Sequence, residues 1–235
     1  MSEPYWSDGQ VSLYLGDCRE VTEWLAADVL CTDPPYGINS QPGEGGLAGP
    51  RRPGDADRRS QPRRLPIAGD LNTDIRDAAV ALWGDRPGVV FGDLDVTPPA
   101  GYCQRLIYRK PPDAGTRGTR GGFRHDIEGI YLTGPWPPGL GGRSSVIETG
   151  ARKAGSEYGL GGRHGHPHAK PVDVMETLIA ACPPGTIADP CAGSCSTLIA
   201  ARNQGRPAIG VEINERSCEM AARRLSQADL FTATQ

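Results

Sequence analysis

Asp33, Pro34, Pro35 and Tyr36 stand consecutively after an apolar run, and they combine an anion, a donor-free stretch of backbone and a flat aromatic face. Proline carries no backbone N–H, so the Pro-Pro pair stiffens the turn and leaves the carbonyls of Asp33 and Pro34 free to accept hydrogen bonds. A carboxylate with a carbonyl beside it holds both hydrogens of an NH2 group and so aims the nitrogen lone pair at an electrophile. Tyr36 supplies a face on which a heterocyclic base stacks. A rigid turn closing a strand would account for the prolines alone; it explains neither the Asp nor the Tyr.

A second group runs from Asp189 through Pro190, Cys191, Ala192, Gly193, Ser194, Cys195 and Ser196 to Thr197, with Glu212 and Ile213 downstream. A strand, a small-residue turn, a helix and a strand ending in an acid form a nucleotide-binding unit. The small residues let backbone approach the ligand, and an acid about 20 residues past the turn takes two ribose hydroxyls. An ordinary strand-to-helix turn is the competing reading, and Glu212 at a strand end weighs against it.

Both groups depend on the elements that carry them. Apolar alternation and short apolar runs predict strands at 11–17, 28–32, 88–93, 104–110, 127–133, 185–189 and 207–213. Helical spacing predicts helices at 18–27, 74–83, 171–182, 195–204 and 216–230. Alternating strands and helices imply a three-layer α/β sandwich with a mostly parallel, doubly wound sheet, and one domain over 1–235. Asp33 and Tyr36 then project from the carboxyl end of the sheet, where open α/β folds bind ligands. Residues 38–66 lose all periodicity and carry Arg51, Arg52, Arg58, Arg59, Arg63 and Arg64 against Glu44, Asp55 and Asp57, a pattern that fits equally a mobile loop able to neutralise phosphates and a merely solvated insertion. Residues 134–169 are Gly- and Pro-rich and read as surface recognition material or linker, with a small recognition segment expected within 111–165.

Composition narrows the classes. The net charge of −3 does not advertise nucleic-acid binding by the whole molecule, although local clusters can supply it. Lys110, Lys153 and Lys170 are the only lysines among 25 basic residues, a usage typical of a GC-rich coding sequence. No run approaches the roughly 18 apolar residues that span a bilayer, so a soluble protein of a prokaryotic or phage-infected cytoplasm is expected, with no membrane partner. Seven scattered cysteines in apolar surroundings predict reduced thiols. Cys191 and Cys195 with His164, His166 and His168 lack paired knuckle spacing, and no metal site is expected. Asp70, Asp93 and Asp95 follow apolar runs and read as surface turn or cap residues.

Taken in order, these motifs resemble the amino-methyltransferases of DNA, in the circularly permuted group where the catalytic motif precedes the cofactor motif. The resemblance implies a Rossmann-like fold, S-adenosylmethionine as methyl donor, and a base flipped out of DNA, double-stranded by expectation, whose exocyclic amine is methylated directly. It makes Asp33, Pro34, Pro35 and Tyr36 the base-holding tetrad. It places Asp189 to Ser194, Ser196, Thr197, Glu212 and Ile213 at the cofactor, with Asp17 of Gly16-Asp17 near its adenine. His166-Pro167-His168-Ala169-Lys170-Pro171 matches the family's HP-x-x-KP stretch, which puts Lys170 in support of the cofactor-side loop. Two departures stand out: Cys191 replaces an aromatic residue, and Cys195 replaces the loop's second glycine, which raises the question of an altered backbone angle and a changed cofactor affinity. Asp at the first tetrad position tips the expected target to adenine N6, with cytosine N4 as the alternative. A catalytically idle DNA-binding relative is a further alternative, and the choice between monomer and homodimer stays open.

Overall fold

A computed structural model describes residues 2–38, 67–111, 123–139, 142–150 and 169–232, the side chains of 228–232 excepted. Beyond Ile38, the Arg-rich loop at 38–66 lies outside the described residues, as do His164, His166, His168 and part of the 111–165 recognition segment.

The strands are β1 (Trp6–Ser7), β2 (Val11–Leu15), β3 (Val29–Thr32), β4 (Gly88–Gly92), β5 (Tyr102–Arg109), β6 (Ile127–Thr133), β7 (Val146–Glu148), β8 (Ile187–Asp189) and β9 (Ala208–Glu212). The helices are α1 (Asp74–Trp83), α2 (Val172–Ile179), α3 (Ser196–Asn203) and α4 (Glu215–Thr232). One sheet runs in the order β1-β2-β9-β8-β3-β4-β6-β5-β7. Its centre, β2-β9-β8-β3-β4, is parallel; β1 and β6 pair antiparallel with their neighbours, and β7 lies parallel to β5.

Period-two side-chain alternation decides which residues go to which face. Val29 and Cys31 of β3 and Val89 and Phe91 of β4 face a core layer shared with Met175 and Ile179 of α2, Leu198 of α3 and Leu225 of α4. Leu30 and Val90 face the other way, onto Ala79 and Trp83 of α1 and onto Trp24. Burial on both faces is why the central strands read as unbroken apolar runs. The mostly parallel three-layer sandwich expected from the sequence is the fold observed.

Two local expectations fail. The helix expected at 18–27 is only a 3-10 turn, Glu23–Ala26. The Trp24 indole donates to the Cys18 carbonyl at 2.9 Å, taking the acceptor that a helix would need, and the ring is buried against Trp83 at 5.9 Å between centroids. In the segment read as lacking core, β7 adds a strand and sends Ile147 into the main apolar layer. Three residues are too short to show periodicity, and the β5 edge supplies the pairing that defines the strand.

Candidate active site

The chain leaves β8 through α3 toward β9 on one side, and leaves β3 through α1 toward β4 on the other. The gap between the carboxyl ends of β8 and β3 is therefore the topological switch point, where open α/β sheets form their crevice. Asp33 follows β3 directly and Asp189 ends β8, so the two sequence motifs emerge side by side. A hydrogen bond from Thr32 Oγ1 to Asp189 Oδ1 at 2.8 Å ties their bases together. Asp189 is buried, and that burial raises its carboxyl to about 6, with the hydrogen bonds from Thr197, Thr32 and the Cys191 N–H acting against the rise.

The Asp33–Tyr36 turn is held from behind. Gly37 takes φ +77, and its N–H donates to Asp70 Oδ1 at 2.8 Å. A Cβ at this position would sit 2.6 Å from the Asn72 carbonyl carbon, so only glycine fits. Asp70 is accordingly 4% exposed and braces the turn; the surface role expected for it is wrong. Asp93 and Asp95 do form a turn, with the Asp95 N–H donating to Asp93 Oδ1 at 2.8 Å.

In front of the turn lies a chain of alternating charges. Lys170 Nζ stands 2.8 Å from Asp33 Oδ2 and 3.0 Å from Glu128 Oε2, while Lys110 Nζ stands 2.7 Å from Glu128 Oε1. The Tyr36 hydroxyl lies 2.8 Å from Asp33 Oδ1 and 3.1 Å from Glu128 Oε2. Lys170 Nζ also sits 5.3 Å from the Tyr36 ring centre and 5.1 Å from that of Phe91. Burial works to raise the Glu128 carboxyl, but the ammonium groups of Lys170 and Lys110 outweigh it and bring it down to about 2. Burial also raises Asp33, and there the attraction of Lys170 offsets it only in part because the Glu128 charge opposes ionisation. Burial would lower Lys170, yet its two carboxylates hold it well above the ordinary lysine value. The array can seat a polar hydrogen donor at Asp33 and a flat ring at Tyr36.

Lys170 touches both loops. Its carbonyl does support the neighbouring loop, accepting from Ser196 Oγ at 2.7 Å, but its ammonium turns to Asp33. Glu128 and Lys110 escaped the sequence reading altogether. The available signal was compositional: in a chain whose other cations are nearly all arginine, two of the only three lysines, Lys110 and Lys170, meet at one carboxylate. A compact ammonium with three donors suits a site that a planar guanidinium would overfill.

The second motif forms the neighbouring loop. Pro190, Cys191 and Ala192 carry the chain from Asp189 to Gly193, whose N–H donates to Glu212 Oε2 at 2.8 Å; the Asn214 N–H donates to Glu212 Oε1 at 2.8 Å. Glu212 is the last residue of β9, and Ile213 beside it is 52% exposed. Asp17 flanks the same end of the sheet, because the Gly16 N–H donates to the Glu212 carbonyl at 2.9 Å. The Asp17 carboxylate, however, is engaged by Arg19, which donates from Nε at 2.9 Å. From beneath, the buried Arg224 of α4 donates to the Ser194 carbonyl at 2.7 Å and to Ser196 Oγ at 3.1 Å, a clamp the helical pattern alone did not reveal.

Cys195 adopts φ 61, a left-handed conformation that favours glycine, and is the only non-glycine residue to do so among the described residues. The loop therefore keeps a glycine-like path with a buried thiol, at a strain cost of roughly 1–2 kcal/mol. Cys195→Gly is expected to leave stability within about 1 kcal/mol, since relief of strain offsets lost sulfur contacts. Cys195→Val should cost about 2–3 kcal/mol, because a β-branched residue tolerates this φ poorly. Urea denaturation of the two variants checks the order, and equal stability would refute the strain.

Comparison with known proteins matches residues 126–223 to the family model described as DNA methylase. The type II methyltransferase M.ScaI of Streptomyces caespitosus is 40% identical over 81 residues, 34% of this chain and 25% of that protein, so the match spans a quarter of its length. The provisionally named methylase YubD of Escherichia coli strain K12 is 28% identical over 234 residues, covering 90% of this chain and 88% of that one. Among solved structures, the PvuII DNA methyltransferase, cytosine-N4-specific, superposes with a TM-score of 0.61 at 13% identity, covering 94% of this chain and 88% of that one. M1.HpyAVI gives 0.58 at 16% identity, with 92% and 98% covered. At such identities the structural likeness is one of fold. The matched span holds Glu128, Lys170, the Asp189–Thr197 loop and Glu212 together, and over those residues the chain is similar to the DNA methylase family.

Proposed function

We propose that this protein methylates the exocyclic N6 of adenine in DNA, with S-adenosylmethionine as donor. The observation that carries the reading is the adjacency of the two loops at the switch point: Asp33 and Tyr36 after β3, Gly193 and Glu212 around β8 and β9, joined through Thr32 and Asp189.

The residues around Glu212 fit the donor. Two backbone N–H groups fix the Glu212 carboxylate and leave lone pairs for two ribose hydroxyls, and Ile213 offers an open apolar surface to an adenine ring. When bound, S-adenosylmethionine supplies an electrophilic methyl carbon on a sulfonium. On the base side, Tyr36 stacks the flipped ring, while Asp33 and the Pro34 carbonyl take the two amine hydrogens. Asp33 would take up the proton that the amine gives up on methylation, and the Pro34 carbonyl would hold the remaining N–H. Resemblance to family members with Asp at the first tetrad position supports adenine over cytosine.

Nucleosides from unmodified DNA incubated with enzyme and S-adenosylmethionine, analysed by mass spectrometry, should contain N6-methyladenine. N4-methylcytosine alone would overturn the base choice. Neither product on any DNA would overturn the enzyme reading.

A further inference from the structure

A phenol has one proton, yet the Tyr36 hydroxyl stands within hydrogen-bond reach of two carboxylates, at 2.8 Å from Asp33 Oδ1 and 3.1 Å from Glu128 Oε2. Asp33 Oδ2 is already taken by Lys170. Asp33 Oδ1 is then the oxygen left for an incoming amine, and the Tyr36 hydroxyl occupies it. An amine that docks there must displace that hydroxyl, and a buried hydroxyl left without an acceptor is costly. Glu128 lies on the far side with its Oε1 held by Lys110 and its Oε2 turned toward both Lys170 and Tyr36. Its side chain is 13% exposed, so little solvent competes for that oxygen.

We propose that Glu128 is a positioning residue that receives the Tyr36 hydroxyl when the target amine takes Asp33 Oδ1, keeping both the phenol satisfied and Lys170 in place. The proposal rests on the amine-methylating reading above and deepens it. Glu128 touches neither base nor donor; it acts through Tyr36 and Lys170. Lys110 holds the other oxygen of Glu128, which leaves Oε2 turned toward Tyr36.

The test is a double-mutant cycle between Glu128→Gln and Tyr36→Phe, read as single-turnover methyl transfer to DNA, with KM for DNA and affinity for S-adenosylmethionine measured alongside. Glu128→Gln should lower kcat about tenfold in the otherwise unaltered enzyme while leaving KM and donor affinity within about twofold. In the Tyr36→Phe background, where there is no hydroxyl to hand over, the same change should lower kcat no more than about threefold. Equal losses in both backgrounds, or a loss confined to KM, would overturn the proposal. If Glu128→Gln does not fold, Glu128→Asp keeps the charge and withdraws the acceptor from Tyr36, and the same background dependence is required of it. Methyl transfer by the unaltered enzyme, measured first, separates failure of this proposal from failure of the methyltransferase reading.

Discussion

Asp33→Ala is expected to reduce methyl transfer by about a thousandfold while S-adenosylmethionine still binds within about twofold of its normal affinity. The expectation follows from the division of the crevice. Asp33 faces Tyr36 and Lys170 on the β3 side, whereas Gly193 and Glu212 lie on the β8–β9 side. Removal of Asp33 takes away the acceptor that orients the amine but leaves Lys170 paired with Glu128, so the buried ammonium is not stranded. Glu212→Ala should do the reverse. It should weaken donor binding roughly 10- to 100-fold, the value of a charge-assisted hydrogen bond, with little change in rate at saturating donor. Titration calorimetry with single-turnover kinetics decides the matter. Loss of donor binding in Asp33→Ala, with Glu212→Ala unaffected, would reverse the assignment of the two sides.

Lys170→Met should be the most damaging change to stability. It leaves Asp33 and Glu128 facing each other in a poorly solvated pocket, with Lys110 as the one cation that still pairs with them among the described residues. Breaking such a buried array costs about 3–5 kcal/mol, which for a chain of this size lowers Tm by roughly 6–20 °C. The pH dependence has a definite sign. Without Lys170, burial and the Glu128 charge are left to hold the Asp33 carboxyl above its unfolded value, so the penalty is absent at low pH and grows as pH rises through the folded value. The variant should therefore lose more stability at pH 8 than at pH 5. In the unaltered protein Glu128 behaves oppositely: held down to about 2, it contributes stability above its unfolded value that is lost as pH falls toward 2. Thermal melts of both proteins across pH check both signs, and a loss from Lys170→Met no larger at pH 8 than at pH 5 would contradict the charge argument. Lys170→Arg should not rescue it fully, since a planar guanidinium cannot meet two carboxylates and two ring faces in the space of an ammonium.

Local sequence was sufficient wherever one short stretch determines its own environment. The apolar run Val29–Thr32 is buried on both faces, so it had to be a central strand, and Asp33 had to emerge from its carboxyl end. Asp189 to Thr197 carries its own turn chemistry and lies beside Glu212 by simple strand adjacency, so the second loop was legible for the same reason. The failures share one physical cause: the partner is remote in the chain. Residues 18–27 have the spacing of a helix, but the Trp24 indole captures the Cys18 carbonyl because Trp83, from α1, offers a stacking surface. Asp70 looks like a turn residue until Gly37, 33 positions earlier, presents its N–H. Lys170 sits in a motif that points toward one loop, and Glu128 in a strand with no motif of its own. Only the antiparallel insertion of β6 beside β4 brings Glu128 to the mouth of β3, where it draws the Lys170 ammonium toward Asp33. The sequence determined which residues could do the chemistry; the tertiary structure decided which charges hold them, because the Coulomb attraction that fixes Asp33 acts across 2.8 Å of space between residues 137 positions apart.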